Sequence, residues 1–150
     1  MLEAHDKGRK TLVIGGAGAI GRRLIRALVE RHGTGSVIAA LRTTPLPPDL
    51  ETSVVCEFGV DVRREETLMA LLSKYECEID WVWNLAAPLS VDTAADPAVA
   101  HDTTVGGMER LLRCMKDVGL RRLCFRGYGW SRRTPRFSTS RWSIWSTCAA

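Results

Sequence analysis

Two kinds of hydrophobic pattern alternate along this chain: short unbroken apolar runs, and longer stretches where apolar residues recur every three or four positions. The first kind reads as strands buried on both faces, the second as amphipathic helices. "TLVIGG" (11–16) is a β-branched run ending in glycine and predicts a strand. In "AIGRRLIRALVERHG", Ile20, Leu24 and Leu28, flanked by Ile25 and Ala27, form one stripe, Arg and Glu fill the other, and Gly33 stops the helix. "SVIAAL" (36–41) and "SVVCEFGV" (53–60) predict two more strands, separated by "TTPLPPD", whose prolines exclude both strand and helix. Leu68, Leu71, Leu72 and Tyr75 share one face of a helix that opens with Glu65 and Glu66.

A fourth strand, "IDWVWNLA" (79–86), leads through a loop, "PLSVDTAADP", to one long helix, "AVAHDTTVGGMERLLRCMKDVG". Val105, Met108, Leu112 and Met115 are expected on its apolar face, and Gly106-Gly107 inside it suggests close backbone packing. "RRLCF" (121–125) begins a fifth strand. Strands alternating with helices predict right-handed βαβ units and an α/β fold, a Rossmann-type doubly wound parallel sheet. The alternation stops at 125. Residues 1–125 are therefore expected to be one α/β domain, and 126–150 an atypical tail.

Charge sharpens that boundary. The formal net charge is +4, yet residues 1–125 carry 16 Lys+Arg against 17 Asp+Glu, while the tail has five Arg and no acid. The body offers no nucleic-acid-binding face, and the tail, with three Trp among its Arg and Ser, matches no binding motif. So abrupt a change of composition suggests a shifted reading frame or transcript. The five cysteines are widely spaced and never form C-x-x-C, so buried thiols in a reducing compartment are expected, with no metal site. No run reaches the ~18 apolar residues of a membrane span, and "MLEAHDKGRK" is no secretory signal. These features suggest a cytoplasmic protein with no membrane partner, a mitochondrial location staying open.

The chemistry lies in "GGAGAIG", between the first strand and first helix, where Gly15, Gly18 and Gly21 are spaced G-x-x-G-x-x-G. The first glycine allows a tight turn, the second a close approach of backbone to a pyrophosphate, the third close helix–strand packing. Ala19 and Ile20 open the helix, whose free N–H groups and positive dipole end suit phosphates. The bland alternative is a glycine-rich turn that binds nothing. An acid that would hold the ribose hydroxyls belongs ~20 residues beyond the last glycine; Leu41 stands there, followed by Arg42. Arg42 either pairs with a 2′-phosphate or is a solvated loop residue, so NAD and NADP both stay open.

With "GGAGAIG", "GVDV" (59–62) and "NLAA" (84–87) in this order, the chain resembles the extended short-chain dehydrogenase/reductases, the NAD-dependent epimerase/dehydratases. "ALVERHGTGSVIAA", "LLSKYECEIDWVWNLAAPLS" and "DPAVAHDTTVGGMERLLRCMKDVGLRRL" resemble its threonine-dehydrogenase branch more than its sugar-nucleotide epimerases, over about residues 10–125. The resemblance implies that Asp61 and Val62 contact the adenine, that Leu85, Ala86 and Ala87 run along the ribose and pyrophosphate, and that Ser90 lies near the substrate. Asp61 could instead cap the following helix, and Ser90 could be an ordinary loop hydroxyl. Three positions depart from the family pattern: Ile14 for a Thr, Thr104 for an Asn, and Leu41 for the ribose acid.

The resemblance also implies a catalytic Tyr followed four residues later by Lys, and neither tyrosine meets that demand. Tyr75 belongs to a helix face, Tyr128 is followed by Arg132, and no Lys lies beyond Lys116. A guanidinium is a poor substitute for an ammonium here. No catalytic residue is therefore assigned. The expected function is the NAD(P)-binding part of an oxidoreductase, inactive alone, with a small-molecule substrate only in a longer form. The alternatives are a catalytically dead dinucleotide-binding module and a relative of the sugar-nucleotide epimerases. A sheet cut at its fifth strand exposes an edge, so a homodimer is one expected association.

Overall fold

The innermost strand of the protein is its first, and its composition says why: Leu12 and Val13 have no accessible surface, and Ile14 almost none. A strand apolar at consecutive positions is stable only when covered on both faces. In the computed structural model, which describes residues 9–88 and 94–125, β1 (Lys10–Ile14) lies at the middle of a five-stranded sheet. The other strands are β2 (Val37–Ala40), β3 (Val55–Glu57), β4 (Ile79–Asn84) and β5 (Leu123–Phe125). Their order is β3-β2-β1-β4-β5, and every pair is parallel. The chain builds outward to β3, then returns to place β4 on the free side of β1. That reversal makes the C-terminal ends of β1 and β4 a topological switch point, where the connecting loops part and leave a crevice.

Helices cover the two faces unequally. Helix α1 (Ala19–His32) packs Ile25 against Val13, Val37, Ala39 and Leu41, with Leu24, Leu28 and Val29 at the margin. Ile20 and Ala27, expected in that stripe, are exposed instead. The opposite face is covered by α3 (Glu65–Lys74), whose Leu68, Leu71 and Leu72 are buried as their spacing predicts, together with Tyr75 just beyond it. Between them, α2 (Pro48–Glu51) corrects the reading of "TTPLPPD" as incapable of helix. A proline at the start of a helix lacks only an N–H that would be unpaired there, and Leu50 gains burial in the α1-side core.

The long helix is divided. Helix α4 (Pro97–His101) begins with the Asp96 carboxylate accepting from the Val99 amide at 3.0 Å. A π turn, Asp102–Gly106, follows, and then α5 (Gly107–Asp117). The wide turn accommodates an ion pair, Arg110 to Asp102 at 2.7 Å, lying over Gly106, where a Cβ would come 2.5 Å from Asp102 Oδ1. Gly107 meets Val62, whose Cγ2 would lie 2.9 Å from a Cβ there, so the expected close packing is present. That contact also sets the helix's rotation. Leu111, Cys114 and Met115 point into the core, whereas Val105 and Leu112, expected inside, are about half exposed at 45% and 50%.

Candidate functional site

The bend after β1 is packed too tightly for side chains. Gly15 has φ 80°, and a Cβ on it would lie 2.9 Å from the Ala86 nitrogen and from the Leu85 carbonyl carbon. The Leu85 amide donates to the Ile14 carbonyl at 2.9 Å, tying the exits of β1 and β4 together. At Gly21 a Cβ would come 2.5 Å from the Gly15 oxygen and 2.7 Å from the Gly16 Cα, so helix α1 starts directly against the bend. Gly18 differs. A Cβ there would meet only the Gly15 oxygen, at 3.4 Å, and its backbone is extended with φ −68°. Gly18 is exposed, so its missing side chain leaves open space above the bend. A cradle that a methyl group would fill is what close approach of a phosphate to backbone requires.

The start of α1 complements that space. Gly18 caps the helix without a side-chain hydrogen bond, and no acid occupies the first turn. The early amides, those of exposed Ala19 and Ile20 among them, have no intrahelical acceptors and sit at the positive end of the helix dipole. Leu85 and Ala86 are half-buried beside Gly15, and Ala87 is exposed just after them. Asn84, which sequence reasoning passed over, is buried and accepts from the Ala86 amide through Oδ1 at 3.2 Å. It shapes the end of β4. Its signals were its place at the head of "NLAA" and a polar residue closing an apolar strand.

The exits of β2 and β3 form the other flank. The Leu41 amide donates to the Glu57 carbonyl at 2.8 Å, Val60 to Leu41 at 3.1 Å and Gly59 to Arg42 at 3.2 Å. Leu41 is buried, its Cδ2 3.6 Å from where a Gly16 Cβ would lie, whereas Arg42 is exposed. Asp61 accepts from the Arg63 backbone at 2.9 Å and from its guanidinium at 2.8 and 3.2 Å. These bonds hold the Asp61 carboxyl below its ordinary pKa, with added help from the Arg42 charge. The Asp61 carboxylate does not cap α3: Arg64 takes the cap position, without a side-chain bond. Val62 is buried against Gly107. Arg63 is a partner the sequence reading missed.

Other candidates resolve differently. Tyr75 is buried and its hydroxyl donates to the Glu57 carboxylate at 2.5 Å, a bond that ties α3 to β3. The Thr104 hydroxyl donates to the Ala100 carbonyl at 2.8 Å, a bond within its own helix. Burial pushes the Cys56, Cys114 and Cys124 thiols above their ordinary pKa. Among the described residues no cluster of His, Cys, Asp or Glu could hold a metal ion, and no helix is long and apolar enough to cross a membrane. Ser90, Tyr128, Arg132 and the Arg/Ser/Trp-rich tail lie outside the described residues.

Residues 11–140 match the model of the NAD dependent epimerase/dehydratase family. The chain belongs to that family. No curated protein matches this member in sequence. Solved structures do resemble it. The L-threonine dehydrogenase of Clostridium difficile is 26% identical with a TM-score of 0.68, over 80% of this chain and 36% of that one. A monomeric L-threonine 3-dehydrogenase from a metagenome is 30% identical with a TM-score of 0.64, over 75% and 34%. The UDP-glucose 4-epimerase of Stenotrophomonas maltophila, solved with bound NAD, is 27% identical with a TM-score of 0.64, over 78% and 36%. This epimerase/dehydratase-family chain thus spans about a third of the length of those structures. Its parallel five-stranded sheet is the Rossmann-type fold of its relatives.

Proposed function

We propose that this chain is the nicotinamide-dinucleotide-binding part of an oxidoreductase of threonine-dehydrogenase type, which moves hydride between a secondary alcohol and NAD or NADP. One observation carries the reading: the bend at Gly15 lies against Leu85 and Ala86 at the switch point, beside the start of α1, which no side chain caps. In this reading the amides of Ala19 and Ile20 bond the pyrophosphate, and Gly18 lets it approach. Leu85, Ala86 and Ala87 line the adjoining ribose, and Asp61 accepts from the adenine amine. Asp61 Oδ2 accepts one bond from Arg63, which leaves it able to take another. The bound coenzyme would supply the hydride acceptor.

The chain carries no Tyr-x-x-x-Lys pair to take the alcohol's proton. Neither Tyr75 nor Tyr128 is followed four residues later by Lys. That favours a second reading for these 150 residues alone: a dinucleotide-binding module without turnover. We expect purified protein to bind a nicotinamide coenzyme, detected through Trp81 and Trp83 fluorescence, and to form no reduced coenzyme from threonine. Failure to bind either coenzyme refutes both readings; reduction at the expense of threonine refutes the second. A homodimer belongs to the same proposal, through the open sheet edge at β5. Sedimentation as a monomer at micromolar concentration would argue against it.

A further inference from the structure

At the β2 exit the flank of the site lacks the acid that the family name leads one to expect. A ribose with both hydroxyls free needs a carboxylate there to accept from them. The position holds Leu41, whose hydrocarbon is buried between α1 and the sheet. The neighbouring acids are engaged elsewhere. Glu57 is bonded to Lys74 at 2.6 Å and to Tyr75, Asp61 to Arg63 at 2.8 Å, and Asp102 to Arg110 at 2.7 Å. Each of these three carboxylates is matched by a cation of its own.

Exposed Arg42, next in the chain after Leu41, is paired with none of these three acids. Its backbone is fixed by the bond from Gly59 and by the neighbouring bond from Val60 to Leu41, so the side chain leaves the sheet from a defined point. Its positive charge reaches Asp61, the expected adenine contact, through space rather than through a hydrogen bond. The start of α1, across the same crevice, adds no acid in its first turn and continues into exposed Arg22 and Arg23. A group carrying nearly two negative charges would be attracted here, while a neutral diol would meet a leucine that offers no acceptor.

We propose that the coenzyme of this chain carries a phosphate on its adenosine 2′-oxygen, and that Arg42 is the residue that selects it. The proposal rests on the dinucleotide-binding reading above and adds the identity of the ribose substituent. Arg42 donates to the phosphate oxygens in the geometry that suits a guanidinium. Leu41 contributes by withholding the acceptor that a free 2′-hydroxyl needs.

Titration calorimetry on the full chain, with NADP, NAD and 2′,5′-ADP as ligands, tests this at fixed low ionic strength. NADP should bind at least about tenfold more tightly than NAD, the yield of a charge-assisted hydrogen bond to phosphate. Arg42→Gln should abolish that ratio by weakening NADP alone, and Arg42→Lys should restore part of it. Added salt should weaken NADP more than NAD, a measurement that needs no variant. NAD binding as tightly as NADP, or Arg42→Gln weakening both equally, overturns the proposal and leaves the dinucleotide-binding reading standing. Binding of neither coenzyme overturns both.

Discussion

Replacing Gly21 by alanine sets two effects of opposite sign against each other. Gly21 lies inside α1, where alanine ordinarily stabilises a helix by about 1 kcal/mol relative to glycine. A methyl carbon there, however, would lie 2.5 Å from the Gly15 oxygen and 2.7 Å from both the Cα and the oxygen of Gly16. Those are backbone atoms, and they have little room to retreat. The Gly15 amide is bonded to Ala40 at 3.3 Å, the Gly18 amide to Gly15 at 3.2 Å, and Gly15 already rests on Ala86. Forcing an extra carbon into packed surroundings costs roughly 1–3 kcal/mol, and a rigid backbone neighbour belongs at the upper end. The net expectation for Gly21→Ala is about 2 kcal/mol of destabilisation, the overpacking cost less the helix gain. For a chain of this size that lowers the thermal midpoint by roughly 4–8 °C. Urea and thermal unfolding followed by far-UV circular dichroism measure it. A variant as stable as the parent would refute the close approach of α1 to the bend.

The matching substitution at Gly18 should behave in the opposite way. Its methyl meets nothing closer than 3.4 Å, so Gly18→Ala should leave the midpoint within about 2 °C while weakening dinucleotide binding, and unchanged binding would remove the cradle from the argument. Leu111→Ala, in the core beneath α5, should cost about 2–5 kcal/mol, whereas Leu112→Ala, on the exposed side, should cost under about 0.5 kcal/mol; the reverse ranking would refute the rotation of that helix. For Asp61 the sign follows from its bonds to Arg63: a folded-state pKa below the unfolded value means stability that is complete above about pH 4. It is lost as the pH falls toward the folded value, so the gap between parent and Asp61→Asn should close on acidification, and a gap independent of pH from 6 down to about 2 would contradict the pairing.

Much of the fold was legible because it depends on short-range order. Apolar runs such as "TLVIGG" have one stable solution, burial on both faces, and Leu68, Leu71 and Leu72 fell where a helical period puts them. The glycine spacing likewise anticipated a tight turn at Gly15, open space at Gly18 and close packing at Gly21, since each demand acts on a single residue's missing Cβ. The second helical region was harder. Residues 105, 108, 112 and 115 and residues 107, 111, 114 and 115 both make apolar stripes, and the first was the one expected to be buried. The seat of Gly107 on Val62, some forty-five residues away in sequence, chose the second.

The sequence by itself determined the alternation of strand and helix, the parallel sheet it implies, the glycine bend, and the want of a Tyr-x-x-x-Lys pair. Each follows from the identity or local spacing of residues. Only the tertiary structure decided that β4 returns to flank β1 and so brings Leu85 and Ala86 against Gly15. The same holds for the engagement of Asp61 by Arg63, the placing of Asn84 behind the Ala86 amide, and the nearness of the Arg42 charge to Asp61. Hydrogen bonds and ion pairs reach only about 3–4 Å. Which groups satisfy one another is therefore fixed by where the folded backbone carries them.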